Sequence, residues 1–296
     1  MKRMKITGVI PALITPFKQN GELDLEGAQR NVRELMECGI RTVMCNGCSG
    51  EGIALDTRER VAVVEAVRKA LSGKGVLIAG AGTATTRETI ALCRDAKSAG
   101  ADVVMVITPF MEIPSQEGIY RHYAAIADAV DVPIVLYNIP PHTTVNIDLD
   151  TLGRLTEIDN VVALKDSSGN LSYAAATIRE YGDRISILTG GDDILVPAFT
   201  LGAAGAILAI ANVATRMVLQ IYESVQAQRL DTAKDIYYRL LPLAQAIGSP
   251  VNFPAPLKEA MRLLGRASGA PRSPIVAVSA AESSAIKAAL QSAGLL

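Results

Sequence analysis

Eight short runs rich in Val, Ile, Leu and Ala recur along the chain, at residues 9–14, 42–45, 76–79, 103–107, 134–137, 161–165, 185–188 and 206–210. Between them lie longer stretches whose apolar residues fall at helical spacing. In 24–38, Leu25, Ala28, Val32 and Leu35 share one face, Asp24 stands as N-cap, and Gly39 ends the stretch. In 56–71, Val61, Val64, Val67 and Leu71 line one side. The stretch 87–99 stops at Gly100, and 115–129 leads into the fifth run. Nearly continuous apolar strands separated by helices are the mark of parallel strands, because a parallel crossover needs a helix's length of chain. Eight such units predict a closed (β/α)8 TIM barrel.

Beyond the eighth run the chain stays helical to its end, broken around 248–256 and 265–274. That is more helix than one barrel unit needs. The expected division is a barrel carrying the active site over 1–214 and a helical extension packed on it over 215–296. No low-complexity linker separates them, and 296 residues suit one barrel with an addition.

The balance of charge narrows the partners. Lys plus Arg number 29 and Asp plus Glu 30, so no basic field invites a nucleic acid. With 49% hydrophobic residues, 4% aromatics and no Trp, small aliphatic side chains must fill the core. No apolar run approaches the roughly 20 residues that span a bilayer, so no membrane partner is expected. The first residues are basic, but Pro11, Thr15 and Pro16 break the run that follows, which reads as a lead-in to a strand rather than a signal peptide. Four cysteines in a chain of this length point to a reducing cytoplasm. Cys45 and Cys48 form a lone C-x-x-C, and the two histidines, His122 and His142, lie far off in sequence. Neither a zinc site nor a redox pair is expected there. Gly80-Ala81-Gly82 follows a strand but lacks the third glycine of a dinucleotide loop. Asp192 and Asp193 read first as N-caps of the next helix, with contact to the far end of a substrate as the alternative.

Barrel enzymes carry their chemistry where the strands end. Lys165 ends the sixth run. A lysine past a strand is ordinarily a surface residue, but burial would lower its pKa and free its amine for a Schiff base with a carbonyl compound. Its company favours the second reading. Cys48 and Ser49 follow the second run, Tyr137 ends the fifth, Gly191 follows the seventh and Ile210 ends the eighth. On a barrel all of them ring one mouth.

Several segments, in order, carry a resemblance. They are Gly8-Val9-Ile10-Pro11-Ala12-Leu13-Ile14-Thr15-Pro16-Phe17, Cys45-Asn46-Gly47-Cys48-Ser49-Gly50-Glu51, Thr108-Pro109-Phe110, Tyr137-Asn138-Ile139-Pro140, Lys165-Asp166-Ser167, Gly190-Gly191-Asp192-Asp193, and the tail around Ala255-Pro256-Leu257-Lys258 and Gly269-Ala270-Pro271-Arg272. Together they resemble the dihydrodipicolinate synthase / N-acetylneuraminate lyase family of class I aldolases, over nearly the whole chain. The resemblance implies that Lys165 forms an iminium with pyruvate or another 2-oxo acid, without metal or cofactor. It implies that Tyr137 shuttles the proton. It gives the turn 47–50, with its N–H groups and the Ser49 hydroxyl, to the substrate carboxylate. Cys48, Gly191, Ile210, His142 and Ser167 would complete the substrate site, Glu51 would cap or pair, and the chain would form a homotetramer.

Three positions depart from the synthase branch. Cys48 stands where a hydroxyl is usual, and a thiol is the poorer hydrogen bonder. Met111 stands where a tyrosine is lent across an interface. His142 stands in place of an arginine, which would give a permanent bidentate clamp. The end of the eighth run, Leu208-Ala209-Ile210, lacks the hydroxyl of the neuraminate-lyase branch. Lys165-Asp166-Ser167-Ser168-Gly169 and Ala209-Ile210-Ala211-Asn212-Val213 also resemble the 4-hydroxy-2-oxoglutarate aldolase branch. The first expectation is thus a Schiff-base lyase that makes or consumes pyruvate, or dehydrates a 2-oxo-3-deoxy acid. The alternatives are dihydrodipicolinate synthase with an altered relay and, from another class, a non-catalytic small-molecule sensor, against which an intact Lys165 and Tyr137 argue.

Overall fold

The computed structural model describes residues 3–296. Eight strands form one parallel sheet: β1 Gly8–Pro11, β2 Thr42–Cys45, β3 Val76–Gly80, β4 Val103–Ile107, β5 Ile134–Asn138, β6 Val161–Asp166, β7 Ser186–Thr189 and β8 Gly205–Leu208. The order runs β1-β8-β7-β6-β5-β4-β3-β2. The two ends of that order meet: Ala12 bridges Met44 in parallel, and the Leu13 N–H donates to the Met44 carbonyl at 2.7 Å. The sheet is therefore a barrel, and the expected fold class holds.

Side chains alternate between its two faces, as the strand period of two demands. Ile10, Met44, Ile78, Val135, Leu188 and Ile207 fill the interior. Val9, Val43, Leu77, Val104, Leu136 and Leu164 face the helices. Aliphatic side chains dominate both layers, as the scarcity of aromatics requires.

The barrel helices are α1 Leu25–Glu37, α2 Thr57–Leu71, α3 Thr86–Ser98, α4 Gln116–Ala129, α5 Pro140–Thr143, α6 Leu149–Thr156, α7 Leu171–Tyr181 and α8 Leu195–Thr200. Their boundaries have local causes. The Asp24 carboxylate accepts the Gly27 N–H at 2.8 Å, and Asp56 and Glu59 form a reciprocal capping box. Gly39 and Gly100 turn the chain out of α1 and α3 at φ of 100° and 105°, where a glycine carries no Cβ penalty. Four further helices follow: α9 Thr215–Gln226, α10 Leu230–Ile247, α11 Ala255–Leu263 and α12 Ala280–Ser292. Helix α9 packs on β1 and α8, and α10 packs on α9 and α12. Among the described residues no helix is long and apolar enough to cross a membrane.

Three expectations need correction. The first strand ends at Pro11, so 12–14 lie beyond it. The eighth ends at Leu208, and Ile210 opens a short 3-10 turn, Ile210–Asn212, instead of ending the strand. Beyond the two strand ends the Asn212 amide donates to the Ala12 and Ala209 carbonyls at 2.8 Å each and ties the two segments together. Finally, neither Asp192 nor Asp193 caps α8, which starts at Leu195 with Ile194 at the cap position and no side-chain cap.

Candidate active site

Tyr137 and Lys165 are register partners on β5 and β6, each one residue before its strand's end. Both are buried, at 4% and 7% exposure. The Lys165 Nζ lies 4.2 Å from the centre of the Tyr137 ring. Burial pulls the Lys165 ammonium down to about 8, while the Cys48 thiol and the Asp192 carboxylate act in the opposite sense. A lysine with that value is a nucleophile at mildly alkaline pH. The Tyr137 phenol is pushed well above its ordinary value, first by burial and next by the Cys48 thiol. It is therefore a neutral O–H, able to donate a proton at one step and recover it at another.

The turn after β2 brings the other side of the site. The Cys48 Sγ is 4.0 Å from the Tyr137 hydroxyl, the outer limit for a sulfur hydrogen bond. Ser49 is buried beside it. Within the turn the Glu51 and Gly52 N–H groups donate to the Cys48 and Gly47 carbonyls at 3.1 and 3.0 Å. The Thr15 hydroxyl holds the Gly50 carbonyl at 2.6 Å. Cys48, Ser49 and Gly50 donate to no backbone oxygen among the described residues, which leaves their N–H groups for an anion. Cys45 is buried and Cys48 exposed; all four cysteines are free. Among the described residues no cluster of three His, Cys, Asp or Glu side chains is placed to hold a metal ion.

Ser167 follows β6, with its N–H on the Asn138 carbonyl at 2.8 Å. Its hydroxyl oxygen is buried, has no partner in full hydrogen-bond geometry, and opposes the rise of the Tyr137 phenol. Gly190 covers it. A Cβ at Gly190 would stand 2.0 Å from Ser167 Oγ and 2.7 Å from Lys165 Cε, so any side chain there would displace these groups. Gly191 follows, its N–H on the Thr189 hydroxyl at 3.3 Å. Ile210 is fully buried and donates its N–H to Asp192 Oδ2 at 3.1 Å. The other Asp192 oxygen is buried without a partner, and burial pushes this carboxyl up to about 7.

A cavity of about 760 Å³ opens from this cluster. Cys48, Tyr137 and His142 line it; Lys165, Ser49, Ser167, Gly191 and Ile210 do not. His142 is exposed and sits in α5, which the Thr143 hydroxyl pins through the Thr108 hydroxyl at 3.1 Å and the Ile139 carbonyl at 3.2 Å. Met111 is 88% exposed, with φ of 73°, and no barrel-mouth polar group comes from it.

Two groups escaped the sequence reading. Asn138 ties β5 to β6, donating to Asp166 Oδ1 at 3.0 Å and to Asn146 Oδ1 at 2.9 Å. Its place right after Tyr137 was the only signal available. Lys258 is the other: it is 2% exposed and paired with Glu51 at 2.5 Å. Glu51 was read as capping or pairing, and pairing is what it does.

A parallel barrel with a buried lysine and tyrosine facing each other at its mouth defines a class of protein, and comparison with known proteins gives the family. The chain belongs to the dihydrodipicolinate synthetase family, whose profile matches residues 5–293. It is 37% identical to the 4-hydroxy-tetrahydrodipicolinate synthase of Archaeoglobus fulgidus over 289 residues, covering 98% of this chain and 99% of the relative. It is 39% identical to the enzyme of that name from Methanothrix thermoacetophila over 273 residues, covering 92% of each. Among solved structures, the dihydrodipicolinate synthase of Acinetobacter baumannii complexed with pyruvate superposes with a TM-score of 0.95 at 31% identity, covering 99% of this chain and 100% of the other. The Thermotoga maritima dihydrodipicolinate synthase gives 0.95 at 32% identity over the same shares.

Proposed function

We propose that this protein is a class I, Schiff-base-forming lyase that takes pyruvate as its imine partner. The observation that carries the reading is the buried Lys165 amine, held over the Tyr137 ring with a pKa near 8. The Lys165 amine adds to the pyruvate ketone, and loss of water leaves an iminium. The cationic nitrogen then acidifies the methyl group beside the iminium carbon; a methyl proton passes to water, and the resulting enamine carbon can attack an aldehyde. Tyr137 handles the protons of addition and water loss, since its phenol borders both Lys165 and Cys48. The N–H groups of 47–50 and the Ser49 hydroxyl receive the pyruvate carboxylate. Ser167, Gly191 and Ile210 bound the substrate from β6, β7 and β8. The test is borohydride reduction with pyruvate followed by intact mass and peptide mapping. One reduced pyruvyl group on Lys165 is expected; labelling elsewhere, or none, rejects the reading and favours a non-catalytic sensor.

For the second substrate, the relatives' shared name favours aspartate semialdehyde, giving a 4-hydroxy-tetrahydrodipicolinate synthase with an altered relay. This reverses the order of preference drawn from the sequence. The earlier choice, cleavage or dehydration of 4-hydroxy-2-oxoglutarate or a 2-oxo-3-deoxy sugar acid, keeps one specific support: His142 lines the cavity where the synthase branch carries an arginine. Steady-state comparison of these compounds separates the two. The highest kcat/KM with aspartate semialdehyde upholds the synthase; a higher value with a 2-oxo acid overturns it.

The same proposal includes a division into a barrel, 1–214, and an extension, 215–296, a cytoplasmic location, and assembly as a homotetramer. Exposed Ile53, Met111 and Ile113 near the mouth suit burial against another copy. Sedimentation at micromolar concentration showing only monomer would contradict the assembly.

A further inference from the structure

The tail segments around Lys258 and Arg272 have no part in the chemistry above, yet both converge on Glu51. Glu51 lies two residues after Ser49, is 5% exposed, and has φ of 52°, a left-handed conformation that a non-glycine residue rarely adopts. Its two oxygens are taken from two directions. Oε1 accepts from Lys258 Nζ at 2.5 Å, and Oε2 accepts from the Arg272 backbone N–H at 2.7 Å. Lys258 Nζ also donates to the Ala270 carbonyl at 3.3 Å and sits 4.1 Å from the centre of the Phe17 ring. The Arg272 guanidinium stacks on the same ring at 4.5 Å and donates to the Ala54 carbonyl and the Glu59 carboxylate at 3.0 and 2.6 Å.

A buried ion pair stabilises a fold little more than well-packed apolar residues of the same volume would, so stability alone is a weak reason for this one. Its geometry supplies a stronger reason. The carboxylate is the last member of the turn whose Cys48, Ser49 and Gly50 N–H groups stay free. The opposite side of that turn is already fixed by the Thr15 hydroxyl on the Gly50 carbonyl. We propose that Glu51 is a positioning residue: it fastens the 47–50 turn to the C-terminal segment and so holds the carboxylate-binding groups of Cys48 and Ser49 in register with Lys165. This inference rests on the Schiff-base reading of the site.

The experiment uses the full chain and two variants. Glu51→Leu with Lys258→Met removes both charges at once, so no unpaired charge stays buried. Glu51→Asp keeps the charge, shortens its reach, and tolerates the left-handed backbone. Each is assayed by thermal melting and by borohydride trapping across a series of pyruvate concentrations and pH values. The double variant is expected to melt cooperatively near the wild-type temperature and to need about tenfold more pyruvate for half-maximal trapping, as a small misplacement of binding groups allows. Glu51→Asp is expected to shift in the same direction by less. In both, the pH midpoint of trapping should stay at the wild-type value, because Lys165 keeps its surroundings; a role in tuning the amine would move it. Wild-type pyruvate dependence in either folded variant overturns the inference, as does a moved midpoint. Absence of trapping in the wild-type protein rejects the Schiff-base reading instead.

Discussion

Tyr137 and Lys165 stand directly opposite each other on neighbouring parallel strands, and their side chains meet with 4.2 Å between the amine and the ring centre. Register partners in a parallel sheet share a face, so the strand pairing itself, rather than a loop, sets this distance. Loops move; a ladder inside a closed barrel does not. The two groups that the proposed mechanism uses together are thus placed by strand pairing rather than by a loop.

The pH dependence of imine formation follows from Lys165. With a value near 8, roughly one amine in ten is neutral at pH 7. Trapping of pyruvate at fixed, sub-saturating concentration should rise roughly tenfold from pH 7 to well above 8 and then level off. The same burial costs stability. Folding lowers this lysine from 10.5 to about 8, so the unfolded chain binds more protons between those values. The cost is therefore complete below pH 8 and is relieved as pH rises toward 10.5. Lys165→Met should raise the melting temperature at pH 7 by a few degrees while abolishing turnover. A lower melting temperature would contradict this account of the burial.

Tyr137→Phe keeps the ring under the lysine and deletes the proton. Turnover should fall about 10²-fold or more, with a smaller change in imine trapping. An unchanged kcat would remove Tyr137 from the mechanism.

Gly190→Ala places a methyl group against Lys165 Cε and Ser167 Oγ, at 2.7 and 2.0 Å before relaxation. Both side chains must give way, or the strand end must shift. Trapping should fall by about 10²-fold in a protein that still folds, because the misplacement occurs at the reacting group. Wild-type trapping would show that the strand end yields at no cost.

Asp192→Asn keeps an oxygen for the Ile210 N–H and removes a negative charge that raises Lys165. The midpoint of pyruvate trapping should move to lower pH. A midpoint that stays or rises would show that Asp192 is uncharged, or too well screened, when the lysine titrates.

The barrel was legible because parallel strands covered on both sides read as apolar runs, and eight of them recur. Their ends were less legible. Composition cannot show where a ladder stops, and just past the end of β8 the Asn212 amide, a side-chain donor, holds the Ala209 carbonyl. Lys165 and Tyr137 were legible as polar residues closing apolar runs. Asp192 was misread as a helix cap, since its real partner, the Ile210 N–H, belongs to another strand's end and leaves no local signature. Lys258 gave no sign of burial either, for a lysine on a helix looks alike in sequence whether it faces water or a carboxylate 207 residues away.

That last separation bears on how the protein comes into being. The Glu51 carboxylate is met first by Lys258 and then by the Arg272 N–H, 207 and 221 residues downstream. A chain emerging from the ribosome has all eight strands, Lys165 and Tyr137 outside well before either partner exists. During that interval the candidate reacting groups are present with one wall still unlatched. On the proposed role of Glu51, a chain cut before Lys258 would close its barrel yet leave the 47–50 turn held only by the Thr15 hydroxyl.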